Sequence, residues 1–152
     1  ANGVEAEVIS LVGMKLHDAM DFTSGDDGFD AVIAKIKEAD GLIVGGPVYW
    51  GTVRAQLMTA LQRIAMASMQ QGNFLSRMVG GPVAIARRGG STTALQEMMM
   101  FYLSNDMIVP GSTYWNIVFG QAPGEALQDQ EGMKTIRRFG ENVAFLIQKI
   151  KG

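Results

Sequence analysis

Leu42-Ile43-Val44-Gly45-Gly46-Pro47-Val48-Tyr49-Trp50-Gly51-Thr52 is the stretch that decides the fold. Three large apolar residues in a row, without polar alternation, fit a strand buried on both faces of a parallel sheet. The run then breaks into a Gly- and Pro-rich turn that carries aromatic side chains. Three further runs read as strands: Val8-Ile9-Ser10-Leu11, Val83-Ala84-Ile85-Ala86 and Met107-Ile108-Val109. Helical stripes lie between and after them. Phe29, Val32, Ile33 and Ile36 form one, and Val53, Leu57, Ala60, Leu61, Ile64 and Ala65 a second. A third runs through Met133, Ile136, Gly140, Val143, Ile147 and Ile150, stepping by three and four residues throughout. Alternation of this kind predicts an α/β fold with a mainly parallel open sheet, helices on both faces and right-handed crossovers. No repeat, linker or low-complexity tract interrupts residues 1–152, so the reading is one domain.

Composition removes several function classes. The chain has 152 residues and no cysteine, so these residues offer no disulfide, thiolate metal site or cysteine nucleophile. A formal charge of −2 gives no electrostatic footprint for nucleic acid or an anionic membrane. No run is long and apolar enough to span a bilayer, and Asn2-Gly3-Val4-Glu5 lacks the basic and apolar parts of a signal peptide. The expectation is a soluble cytoplasmic protein. His17 is the only histidine and reads as an exposed loop residue. Asp18, Asp21, Asp26, Asp27 and Asp30 crowd the same loop, but their spacing fails the EF-hand pattern, so no metal site is expected.

Residues 91–104 read as a helix that breaks the amphipathic rule. Met98-Met99-Met100-Phe101-Tyr102-Leu103 is apolar on every side for nearly two turns. One face can cover the sheet; the other needs a second partner. A homodimer or homotetramer is expected, with Met66 and Met69 joining the contact and Tyr114 or Trp115 near a neighbour's site.

Every loop that follows a strand of a parallel sheet lies on one edge, where open α/β sheets bind ligands. Three such loops stand out: residues 45–52, Arg87-Arg88-Gly89-Gly90-Ser91-Thr92, and Pro110-Gly111-Ser112-Thr113-Tyr114-Trp115-Asn116. Together they hold both tryptophans and two of the three tyrosines. Glycines that let backbone amides approach, beside aromatic faces, suit a flat aromatic ligand with hydrogen-bonding edges. No acid–base dyad or nucleophile pattern appears, so no catalytic side chain is assigned. If Ser91 caps the helix that follows, its hydroxyl serves the backbone. Arg87 and Arg88 read equally as ordinary surface residues or as partners of a phosphate or carboxylate.

The segment Gly-Gly-Pro-Val-Tyr-Trp-Gly-Thr-Val-Arg-Ala-Gln-Leu at 45–57 resembles the flavin-contacting segment of flavodoxin-like NAD(P)H-dependent FMN reductases and the related iron–sulfur flavoproteins. Arg88-Gly89-Gly90 resembles their second flavin loop. Pro123-Gly124-Glu125 through Asp129-Gln130-Glu131-Gly132 resembles their C-terminal region, so the likeness covers most of 29–150. It implies a flavodoxin-like fold with FMN at the sheet edge. The implied contacts are Pro47, Val48, Tyr49, Trp50 and Gly51 from one loop, and Arg88, Gly89, Gly90 and Ser91 from the other. Gly89 is expected to take φ > 0, so that valine there would weaken FMN binding.

Two departures accompany the likeness. The loop at 12–22 has no cysteine where the iron–sulfur members carry a cluster. The family's first strand and phosphate loop have no counterpart, so the domain at 1–152 is expected to be N-terminally incomplete. In the order 2-1-3-4-5 that strand would lie between 8–11 and 42–44, which would otherwise stand about 9–10 Å apart and could not pair. The natural chain is therefore expected to carry about 25–40 further residues upstream. The functional expectation is an FMN oxidoreductase that moves electrons from NAD(P)H to a quinone, flavin or other small acceptor. The alternatives are an electron carrier serving a protein partner, and a flavodoxin-like interaction module without cofactor.

Overall fold

The computed structural model describes residues 2–21 and 24–151. Its order is α1 (Phe29–Lys37), β1 (Gly41–Tyr49), β2 (Thr52–Val53), α2 (Ala55–Gln70), β3 (Val79–Ala86), α3 (Ser91–Ser104), β4 (Ile117–Phe119) and α4 (Gln130–Lys151), with a 3₁₀ turn at Glu125–Gln128 before α4. The sheet order is β2-β1-β3-β4. β1 runs parallel to β3 from Gly41↔Val79 to Pro47↔Ile85, and β3 runs parallel to β4 from Ala84↔Ile117 to Ala86↔Phe119. β2 pairs only with the end of β1, antiparallel.

β3 is the central strand and is buried almost throughout. Val79 and Val83 face α4, where Phe139, Val143 and Ile147 form one apolar cluster. Ala84 faces the other way, into a cluster built from α1, α2 and α3 with Val44 of β1. Helices therefore cover both faces of the sheet, as expected. Tyr102 on α3 is wholly buried, and its hydroxyl donates to the Leu42 carbonyl at 3.2 Å. Burial pushes this phenol far up, so it stays a neutral donor that ties α3 to β1.

The helical readings hold at 29–37 and 91–104, and α2 buries Ala60, Leu61 and Ile64 as its stripe predicts. The stripe of α4 differs. Its buried line passes through Thr135, Phe139, Val143, Ala144 and Ile147, whereas Ile136 and Gly140 are only half-buried and Ile150 is exposed. The Phe139 ring fills the space above Gly81, where a Cβ would sit 3.0 Å from Cζ. A ring over a bare backbone buries more area than the Gly140 line could, so the helix turns to that face.

Two expected strands are not strands. Val8-Ile9-Ser10-Leu11 is irregular, with Val8 94% exposed. A strand is defined by its ladder, and among the described residues none pairs with it. β1 is correspondingly open along one edge over residues 41–47, and Ile43 on its outer face is 48% exposed. Met107-Ile108-Val109 makes a single bridge, Val79↔Ile108, and the strand proper is Ile117–Phe119. Four residues of β3 separate Val79 from Ala84, but eight separate Ile108 from Ile117. The four extra residues force residues 110–116 out of the sheet plane as a lateral excursion.

Residues before α1 pack without regular structure. Leu11, Met14 and Leu16 rest on the α1–α3 cluster, and Gln56 Nε2 donates to the carbonyls of Leu11 and Met14 at 2.8 and 2.5 Å. Asp27 anchors the stretch: it accepts from Arg63, from the His17 amide at 2.8 Å and from the Phe29 amide at 3.1 Å. Its side chain is 4% exposed, and the Arg63 guanidinium also lies over the Phe29 ring. The hydrogen bond from Arg63, with the two amides, holds the Asp27 carboxyl below the usual range against the opposing effect of burial. A depressed carboxyl stabilises the fold above its unfolded value of about 4, and that contribution is lost as pH falls through the folded value. Asp27→Asn should therefore cost about 1–2 kcal/mol at pH 7, since asparagine keeps an acceptor oxygen for the amides but loses the charge opposite Arg63. The same variant should be less acid-sensitive between pH 5 and 2. Urea unfolding at several pH values checks this, and identical midpoints at pH 7 would contradict it.

Candidate functional site

The end of β1 turns sharply. Tyr49 and Thr52 face each other across the hairpin, and the two residues between them, Trp50 and Gly51, have φ of 55° and 84°. Two left-handed residues in a two-residue connection make a type I′ turn, whose twist matches that of the flanking strands. Gly51 adopts it freely. Trp50 does so at a cost on the order of 1 kcal/mol. Its side chain meanwhile stands fully in solvent, 103% exposed, with Tyr49 beside it at 56%.

The end of β3 makes the second loop. Arg87, Arg88 and Gly89 are exposed, and Gly90 is the residue before α3, with φ 84°. Correcting the sequence reading, the left-handed glycine is Gly90. A Cβ on Gly89 would meet nothing within 4 Å. Ser91 is buried and is the first residue of α3; no side chain caps this helix start, so Ser91 does not act as its cap. The first amides of α3 keep their donor capacity, and the positive end of the helix faces the same way.

These loops meet through their glycines. A Cβ built on Gly90 would lie 2.6 Å from Gly51 Cα and 3.3 Å from both Gly51 N and Val48 Cγ1. Backbone thus touches backbone at this point, and no side chain fits between. The structure thereby brings Val48, Gly51 and Gly90 into one place, with Tyr49, Trp50 and Ser91 adjoining. Pro47 and Arg88 flank them, exposed.

The third loop is not the one expected. Residues 110–116 sit beside α4, where Asn142 Nδ2 donates to the Gly111 carbonyl at 2.8 Å and Thr113 and Thr135 hydroxyls approach at 3.5 Å. Tyr114 and Trp115 stack on each other at 5.1 Å and stay exposed, off the strand ends. The loop that does leave the edge is Gly120–Gly124, after β4. The Glu125 carboxylate accepts from the amides of Gln121 and Ala122 at 2.7 and 2.9 Å, which hold it below the usual range. Sequence reasoning missed this loop; the run Ile117-Val118-Phe119, closed by Gly120, is the signal that could have found it.

The acidic loop closes on itself. Asp18 accepts from the Met20 amide, Asp21 from Ser24 and Asp26 from Gly28, so these carboxylates serve turns. His17 Nδ1 lies 3.7 Å from Asp27. The loop and helices α1 and α2 border a cleft lined by Asp18, Asp26, Arg63 and Gln70 among others. Among the described residues, no group of three or more His, Asp or Glu is placed to hold a metal ion. Likewise, none of the described helices is long and apolar enough to cross a membrane.

Comparison with known proteins places the chain. Residues 1–122 match the family of NADPH-dependent FMN reductases. An iron-sulfur flavoprotein of Methanocaldococcus jannaschii is 35% identical over 98% of this chain and 84% of its own length. One of Methanosarcina thermophila is 30% identical over 86% of this chain and 68% of its own. The fold is shared with a flavodoxin, WrbA-like protein of Agrobacterium tumefaciens, at TM-score 0.59 and 20% identity over 76% of this chain and 71% of that one. It is shared also with a flavone reductase, at TM-score 0.72 and 18% identity over 98% and 54%. The chain belongs to the NADPH-dependent FMN reductase family and has a flavodoxin-like fold; it is a flavin-dependent oxidoreductase with FMN as cofactor. These 152 residues contain no cysteine.

The donor set at the strand ends fits the ring of such a cofactor. Close glycines, uncapped amides and two exposed aromatic faces are what a planar heterocycle with acceptor edges requires. Gly90→Ala should reduce FMN affinity at least tenfold and lower stability by about 1–3 kcal/mol, through both φ and the clash with Gly51. Gly89→Ala should leave stability within about 0.5 kcal/mol. Flavin titration and thermal melts of the two variants check this; equal behaviour would contradict it.

Proposed function

We propose that the protein takes electrons from NAD(P)H and passes them through FMN to a small acceptor such as a quinone or a free flavin. The observation that carries this reading is the Gly51–Gly90 contact, which joins two backbone donor loops next to the exposed Tyr49 and Trp50. When bound, FMN supplies the hydride and single-electron chemistry. In this reading the chain's own residues bind, orient and shield. The backbone from Pro47 through Gly51 and the amides of Gly89, Gly90 and Ser91 set the plane and edge of the ring. Val48 packs beneath, and Tyr49 and Trp50 offer aromatic faces beside it. Arg88 offers a cation to a phosphate of NAD(P)H or to a carboxylated acceptor. No side chain is assigned as acid, base or nucleophile.

A second reading, an electron carrier for a protein partner, draws support from one observation. Trp50 projects from a strained hairpin into solvent, and Tyr114 and Trp115 sit elsewhere, so the edge is an open surface rather than a walled pocket. Anaerobic addition of NADPH to the FMN-loaded protein separates the two. Bleaching within seconds at micromolar protein, followed by reoxidation on adding a quinone, is the expected result. A flavin that bleaches only with a redox protein present would establish the carrier.

The reading extends to assembly. Met100 and Leu103 on α3 and Met69 on α2 are exposed, although Met98, Phe101 and Tyr102 are buried. That apolar face suits a homodimer or homotetramer. The open edge of β1 has the ladder groups for one more parallel strand, so the complete FMN-binding domain would include such a strand, with a phosphate-holding loop at its end. Native mass spectrometry of the natural protein reads both features, with two or four copies of a chain longer than 152 residues expected. A single copy of a 152-residue chain carrying FMN would contradict both.

A further inference from the structure

Glu97 lies on α3, six residues beyond its start, and points back toward the β1–β2 hairpin. One of its carboxylate oxygens, Oε2, accepts from the Thr52 hydroxyl and from the Val53 amide, the latter at 3.3 Å. Thr52 and Val53 are the whole of β2, which pairs with β1 through two residues only. A two-residue strand is too short to hold a hairpin by itself. The turn it must hold contains a left-handed Trp50, which favours relaxation to another conformation. Glu97 is the side-chain tie across this gap. It joins the hairpin to the helix that begins at Gly90–Ser91, so the Gly51–Gly90 contact is bracketed between two fixed points.

We propose that Glu97 is a positioning residue of the cofactor site, acting through Thr52 and Val53 to keep the Trp50–Gly51 turn docked on Gly90. This rests on the reading of residues 47–51 and 88–91 as the flavin site. Glu97 touches neither the ring position nor any reacting atom. Its effect is on the backbone donors that the hairpin presents, because one acceptor oxygen shared by Thr52 and Val53 fixes both to α3.

The test compares Glu97→Ala, Glu97→Gln and Thr52→Val with the unaltered protein. Two measurements are made: the Kd for FMN by flavin fluorescence quenching, and amide hydrogen exchange at Val53 in the cofactor-free protein. Glu97→Ala is expected to raise Kd about tenfold and to speed exchange at Val53 by a similar factor. Exchange at central β3 amides such as Val83 should stay unchanged. Glu97→Gln retains an acceptor oxygen and should return Kd to within about threefold of the unaltered protein. Thr52→Val should weaken binding less than Glu97→Ala, and the double variant should be no worse than Glu97→Ala alone. Unaltered Kd in Glu97→Ala, while the parent protein binds FMN, would overturn the proposal. So would faster exchange spread evenly over β3, which marks general destabilisation. A parent protein that binds no FMN would instead overturn the functional reading, leaving the Val53 exchange result to judge the tie by itself.

Discussion

Everything at the strand ends depends on the approach of one glycine backbone to another. Gly51 and Gly90 come from different crossovers of the sheet, yet a single added Cβ at 90 would stand 2.6 Å from Gly51 Cα. Steric exclusion at this point sets how far the β1–β2 hairpin can close on α3. It also dictates left-handed φ values at both glycines and, through the tight turn, at Trp50. The remaining interactions support that contact from behind. Parallel pairing of β1 and β3 delivers both loops to one edge, and Tyr102 ties α3 to the Leu42 carbonyl.

Much of this was legible in the residues. The buried runs at 42–44 and 83–86, the helix at 91–104 and the loops after both strands are local features. Composition and period report them directly. What escaped was decided by neighbours. Val8–Leu11 has β-branched residues but no ladder, and Met107–Val109 lost its place to Ile117–Phe119 because only the latter lies beside the end of β3. Phe139 instead of Gly140 faces the sheet because Gly81 leaves room for a ring. Which glycine of an adjacent pair turns left-handed is likewise invisible locally. Gly90 does so because it faces Gly51, while Gly89 faces open space.

The acidic loop illustrates how a charge cluster can be structural. Five aspartates within thirteen residues invite a metal reading, but their oxygens are directed at amides two or three residues away and at Arg63. Only Asp27 is drawn inward, and there it fastens the chain before α1 to α2. The aromatic residues divide similarly. Tyr49 and Trp50 stay at the edge with the glycines, whereas Tyr114 and Trp115 form a separate pair beside α4. A flavoprotein reading needs only the first pair.

In the proposed function, two backbone loops joined at Gly51 and Gly90 receive the flavin ring. Titration of ¹⁵N-labelled cofactor-free protein with FMN, followed by two-dimensional NMR, tests it most directly. The largest shift changes are expected at the amides of residues 48–53 and 88–92, with little change in the acidic cleft bordered by Asp18, Asp26 and Arg63. Changes confined to that cleft, with the amides of Gly51 and Gly90 unmoved at saturating FMN, would contradict it.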